Sequence, residues 1–242
     1  TKQVIMIAQH YSDPIELNNM GVRHIEENDK TSACDLLSTA VKLILKADST
    51  GSSSTERNSP VKCNHFEWSN ATNNSFPEKP CEVAVEQYVF SRGMYVYCQR
   101  SKMRHQSFNL SSDAKAAIAY NAGLAYHLLA IEKSDSILLR KASHMYRFSQ
   151  SILRKANKSG SYSKLCFNYF FHVSILNNLG QISYDLVDYS ASTQYFGKLK
   201  LNLKHLIAKS MSAELSSRKW DAFNQNDLRG MISNTVIDIP TT

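Results

Sequence analysis

Cys63, His65, Cys81 and Cys98 are the residues of this chain whose types could hold a metal ion, because a Cys-x-His pair is followed by two later thiols. Zinc sites are assembled from ligand pairs a few residues apart, and neither a CxxC nor an HxxxH pair occurs here, so free thiols and no metal are expected. His127, His144 and His172 each stand near aromatic residues in stretches of helical period. An imidazole in that setting is a core or rim residue rather than a catalyst. No Ser, Cys or carboxylate sits in a nucleophile motif, and neither a GxxxxGK nor a GxGxxG phosphate loop is present. The run Phe167, Tyr169, Phe170 and Phe171 covers two neighbouring faces of one helix, which fits core packing rather than a ligand box. The expectation is a protein that is not an enzyme and uses no cofactor or metal.

Composition narrows the class further. With 242 residues, 43% hydrophobic and 20% charged, the chain has the balance of an ordinary globular protein and can bury roughly 70% of its unfolded surface. No apolar run reaches the roughly 18 residues of a membrane span, so membrane insertion is not expected. The opening "TKQVIMIAQHYSDP" lacks a basic n-region and a small-residue cleavage site, and no targeting signal is read in it. Five cysteines, an odd number without regular spacing, fit free thiols in a cytoplasmic or nuclear protein. Four sequons, at Asn70, Asn73, Asn109 and Asn157, would matter only after secretion. The formal charge of +7 is moderate. Lys198, Lys200, Lys204 and Lys209 gather on one helix opposite Leu199, Leu203 and Leu206, a solvated amphipathic face whose alternative use is nucleic-acid binding.

These residues have to be positioned by helices. Residues 13–47 read as a helical hairpin, with Asp13 capping, Pro14 in the first turn, and Asn28 and Asp29 as stop and restart. Residues 48–80, dense in Ser, Asn, Thr and Pro, read as a flexible insert that Phe66 and Trp68 could pin to the body. In residues 81–100, Val83, Val85 and Val89, then Tyr95 and Tyr97, alternate around Ser91-Arg92-Gly93, which predicts a β-hairpin. Ser112 and Asp113 can cap the next helix, and Ser134 or Asp135 the one after it. A third helical pair follows the turn at 157–163, a last helix covers 215–228, and 229–242 is a tail. The whole of 1–242 is read as a single domain.

Three helices carry the same cluster: Asn19-Met20-Gly21, Asn121-Ala122-Gly123 and Asn178-Leu179-Gly180. Gly in a helix costs about 1 kcal/mol relative to Ala, so its recurrence requires a packing reason. A small residue on the second helix, Ala33, Ala142 or Ser192, with a bulky one four later, Leu37, Tyr146 or Phe196, would let two helices approach closely.

On these residues the chain resembles the tetratricopeptide repeat, a helix-turn-helix unit of about 34 residues. Leu176, Leu179, Gly180, Asp188-Tyr189, Ser192 and Phe196 fall at the repeat's positions in the third unit. Leu17, Met20, Gly21, Asp29, Ala33, Leu37 and Ala40 do so in the first. The middle unit departs, with Gly123 nineteen residues before Ala142 where about twelve are expected. The order of "NNMGV", "YVFSRGMYVY", "AIAYNAGLAYHLL", "ILNNLGQI" and "KWDAFNQNDLRGM" is similar to that in tetratricopeptide-like proteins of diatoms, a group with no assigned activity. The fold so implied is mainly α: an α-α superhelix of hairpins with an inserted β-hairpin and a disordered loop.

The resemblance also implies a concave groove for another protein's extended or helical segment. Its lining would be Asn18, Val22 and Ile25, then Tyr120, Leu124 and His127, then Asn177, Gln181 and Tyr184. The chaperone-tail form of the repeat needs cations for a carboxylate clamp. The matching positions here are Asn18, Val22, Asn121, Ser174 and Asn178, so the asparagine is kept and the cations are not. Chaperone-tail binding is therefore not expected. The leading reading is a protein-binding scaffold, and the alternative is nucleic-acid association through the basic C-terminal helix.

Overall fold

The computed structural model describes residues 13–50, 63–69, 89–98, 110–158, 165–211 and 225–235. Among them are seven helices and two strands: α1 (Pro14–Glu26), α2 (Lys30–Thr50), β1 (Cys63–Trp68), β2 (Met94–Cys98), α3 (Ser112–Lys133), α4 (Ser136–Lys158), α5 (Leu165–Asp185), α6 (Tyr189–Met211) and α7 (Gln225–Asn234). The fold is mainly α. The chain, read from sequence as one domain, groups into two compact units, residues 1–73 with 91–163 and residues 74–90 with 164–242.

The three helical pairs, α1 with α2, α3 with α4 and α5 with α6, are closed by one repeated turn. Asn28, Ser134 and Val187 adopt φ of 63°, 50° and 63°, in the left-handed region that lets a helix stop. The next residue is an Asp in each case, and its backbone N–H reaches back to His24, Ala130 or Ser183 at 2.8, 3.0 and 2.8 Å. Each Asp carboxylate then caps the second helix, accepting from Ser32 N at 3.0 Å, from Ile137 N at 2.7 Å and from Ala191 N at 3.1 Å. Hydrogen bonds from the Ser32 side chain and backbone hold the Asp29 carboxyl below its ordinary value. At the head of α1, Asp13 accepts from Ile15 N at 2.9 Å, as its place before Pro14 predicts. In α3 the cap is Ser111, one residue earlier than expected, accepting from Ala114 N at 3.3 Å.

The helix glycines are close-packing sites, but what opposes them differs from expectation. A Cβ on Gly21 would stand 2.5 Å from Leu37 Cγ, on Gly123 2.9 Å from Tyr146 Cδ1, and on Gly180 2.5 Å from Phe196 Cε1. The bulky residue itself thus fills the missing side chain's place. Ala33, Ala142 and Ser192 are buried, and Ser192 Oγ donates to the Gly180 carbonyl at 3.0 Å. The Tyr146 contact also supports the longer spacing read for the middle unit.

Two corrections concern the strands and the tail. β2 pairs antiparallel with β1, in the register Phe66↔Val96 and Trp68↔Met94, a partner strand that the sequence reading had not assigned to it. The apolar alternation in Phe66 and Trp68 supplies a face for Val96 and Met94, so the stretch read as a flexible insert contributes the strand; residues 81–88 lie outside the described residues, as do 51–62 and 70–80. The tail begins later than 229, because α7 runs to Asn234, with Met231 and Asn234 buried. Residues 215–224 and 236–242 lie outside the described residues.

Candidate functional site

The recurrent asparagine, more than the glycine beside it, organises the site. An asparagine carboxamide presents its C=O and one N–H on the same side, so it can pair with both the N–H and the C=O of one extended residue, which point to the same edge of a strand. Three asparagines do so. Asn19 accepts from Val96 N at 2.9 Å and donates to Val96 O at 2.9 Å. Asn121 accepts from Met94 N at 2.9 Å and donates to Met94 O at 2.7 Å. In the second unit, Asn178 accepts from Phe90 N at 2.9 Å and donates to Phe90 O at 3.0 Å. All three held residues belong to one stretch, 90–96, and all three are buried.

The alternation of an extended strand explains why these residues are the ones held. Successive peptide groups of β2 point to opposite edges. Gly93, on the β1 side, receives Ser69 N at its carbonyl and donates to Ser69 Oγ, both at 2.8 Å. Met94 and Val96 point to the other edge, which in a two-stranded sheet would be bare. Side-chain amides from α1 and α3 occupy the place of a third strand.

Each clamp is steadied by another amide. Asn18 donates to Asn19 Oδ1 at 3.0 Å and to Met94 O at 3.1 Å, while its own Oδ1 accepts from Asn121 at 2.7 Å. In the second unit, Asn177 donates to Asn178 Oδ1 at 3.1 Å and accepts from Asn234 of α7 at 2.8 Å. The strand also approaches α1 closely, since a Cβ on Gly93 would lie 3.0 Å from Val22 Cγ1. The Tyr120 hydroxyl donates to Arg92 O at 3.1 Å, and the Trp68 ring meets Tyr120 edge-on at 5.9 Å.

Of the residues expected to line an open groove, Asn18, Val22, Ile25, Tyr120, Leu124, His127, Asn177 and Gln181 are buried and Tyr184 is half-buried. Within the first unit, Asn18, Val22 and Tyr120 lie against residues 92–94. Gln181 donates to Asp185 at 2.9 Å, and Tyr184 packs edge-on against Tyr189 at 5.5 Å. His127 is fully enclosed, with the Tyr146 ring 6.2 Å away and no hydrogen-bond partner on either nitrogen; burial pushes its pKa down to about 3, so the imidazole is neutral. The expected groove lining omitted Asn19, and named Asn121 and Asn178 only at the positions of a carboxylate clamp that was not expected to form. Their signal was in view, an asparagine two residues before each helix glycine.

Of the residues considered for zinc, His65 stacks against Tyr97 at 5.6 Å and Cys63 stands opposite Cys98 in the strand register, while Cys81 lies outside the described residues. Among the described residues no group of three or more His, Cys, Asp or Glu could hold a metal ion. Burial pushes the Cys34 thiol up to about 12, leaving it protonated. No described helix is long and apolar enough to cross a membrane. What the site can do is hold an extended backbone by its peptide groups. Comparison with family models, with curated proteins and with solved structures returns no match for this chain.

Proposed function

We propose that this chain is a tetratricopeptide-like scaffold, acting in the cytoplasm or nucleus, that binds an extended segment of another protein through its helix-borne asparagines. The observation that carries the reading is the carboxamide pairing of Asn121 and Asn19 with Met94 and Val96 within the first unit, repeated by Asn178 with Phe90 within the second. Recognition of this kind depends on backbone conformation and direction, with side chains read only where space is short, as at Gly93 against Val22. The chain's own segment is the resident ligand, and a partner segment takes its place. A tethered ligand acts at an effective concentration of about millimolar, so the resident holds the site until a much better competitor arrives.

A disulfide lock tests this. Val22→Cys with Gly93→Cys would join two close positions, since a Cβ placed on residue 93 stands 3.0 Å from Val22 Cγ1, fixing the segment against α1. Incubated with lysate of the source organism, the reduced double variant should capture a stoichiometric protein partner that the oxidised form does not. Equal capture by both forms would reject exchange of the segment.

A second reading, nucleic-acid association, draws support from α6. Lys198, Lys200 and Lys204 are exposed there, the helix carries no acidic residue, and Leu199 and Leu203 are buried on the other side. Binding through these lysines should weaken by nearly one power of salt concentration per phosphate contacted, and a flat salt response would exclude it.

A further inference from the structure

The outward face of α4 carries positive charge that no described acidic residue pairs with. The helix contains Arg140, Lys141, Arg147, Arg154, Lys155 and Lys158 and no Asp or Glu in its 23 residues. Its apolar side is fixed by Leu139, Ala142, Tyr146 and Leu153, all buried, with Ser149 Oγ donating to Ala116 O at 2.7 Å. The opposite side therefore faces out in a defined register, and Arg140, Lys141, His144, Arg147, Arg154 and Lys155 are exposed along it. Elsewhere in the same unit cations find acids: Lys30 meets Glu132 at 2.6 Å and Lys115 meets Asp48 at 2.5 Å. Among the described residues, Arg140, Lys141, Arg147, Arg154 and Lys155 form no ion pair. Lys141 lies over the Tyr126 ring at 5.8 Å and Arg154 donates to Gln150 at 3.1 Å.

Spacing identifies the partner that suits this face. Arg140, Arg147 and Arg154 are seven residues apart, two helical turns each, which places them in nearly one line at intervals of about 10.5 Å. An acidic helix with carboxylates at the same interval presents the matching line, and arginine takes a carboxylate with two parallel hydrogen bonds. Phosphates along one nucleic-acid strand recur more closely than this, and no exposed aromatic stands on the stripe to stack a base. Ile137, 64% exposed at the start of the stripe, adds an apolar contact of the kind a helix face offers and a phosphate backbone does not. We infer that the outward face of α4 docks an acidic α-helix of a partner protein, laid along the line of Arg140, Arg147 and Arg154.

The test is direct binding at low salt, read by fluorescence anisotropy with the full chain. The probe is a synthetic helix of about 25 residues with three Glu seven apart on an Ala and Gln background. A control peptide has the same composition with the Glu spread around the helix; duplex DNA and duplex RNA complete the set. The expected result is binding of the first peptide that falls about tenfold or more in a variant combining R140E, R147E and R154E, and about as much with the control peptide. All three positions are exposed, so the variant should melt as the parent does, and K198E with K200E and K204E should leave peptide binding unchanged. Equal affinity for the two peptides would overturn the inference, as would no measurable peptide binding. Tighter binding of either duplex, lost in the α4 variant, would overturn it in favour of a phosphate surface.

Discussion

At the residue scale the asparagines carry more of the structure than their number suggests, because each pairs with both the N–H and the C=O of one residue. Asn121 is buried and its carboxamide serves Met94 N–H, Met94 C=O and Asn18 together. Asn121→Ala should cost about 2–5 kcal/mol, at about 1–3 kcal/mol for each buried group left unsatisfied. Asn19 is half-buried, so water can replace its amide, and Asn19→Ala should cost about 1–2 kcal/mol. Urea midpoints of the two variants check the order; an equal cost would mean that burial does not set the penalty. His127 makes a second prediction. Its folded pKa of about 3 lies below the ordinary 6.5, so between those values the unfolded chain binds a proton that the folded chain does not. Stability contributed by the neutral ring is therefore complete above pH 6.5 and falls with acidification, by at most about 1.4 kcal/mol per pH unit. Asp29 acts in the same direction but only below the ordinary carboxylate value of 3.8. His127→Phe should remove the slope between pH 6 and 4, measured by urea unfolding across that range.

At the element scale one turn is built three times from different residues, and one copy is strained. Asn28 and Ser134 accept a positive φ readily enough, but Val187, at φ 63° and 67% exposed, is β-branched and its side chain can make no hydrogen bond to offset the cost. Val187→Asn should raise stability by about 1 kcal/mol without altering the fold, read as a higher melting temperature; a lower one would show that the valine makes an apolar contact of consequence. These turns also mark what the sequence made legible. The helical hairpins, Asp13, Asn28 and Asp29, and the close-packing role of the glycines could be read because caps, breaks and small residues act over a few neighbouring positions. The pairing of β2 with β1 could not, since Trp68 and Met94 are 26 residues apart and a local alternation pattern names no partner strand. The three asparagines were seen as a repeat, and Asn121 and Asn178 as groove positions, but none was assigned to residues 90–96, because a buried amide is explained only by the backbone it meets.

At the scale of the whole molecule, the stretch 89–98 is divided between the two compact units: Phe90 is held by Asn178 in one, Met94 and Val96 by Asn121 and Asn19 in the other. Stability is not uniform across such a chain, and each unit can open with its own free energy. Within its own unit Asn178 is steadied by Asn177 and through it by Asn234; within the other, Asn121 and Asn19 are joined through Asn18. Asn178→Ala removes the acceptor of the Phe90 amide and leaves every hydrogen bond of Met94 and Val96 intact. Native-state hydrogen exchange should then show Phe90 losing protection selectively while Met94 and Val96 exchange as in the parent chain. Loss of protection at all three together would mean that the stretch docks and leaves as one piece. In that case a competing segment would have to displace three clamps in a single step, and the proposed exchange would be correspondingly slower than sequential release from one unit and then the other.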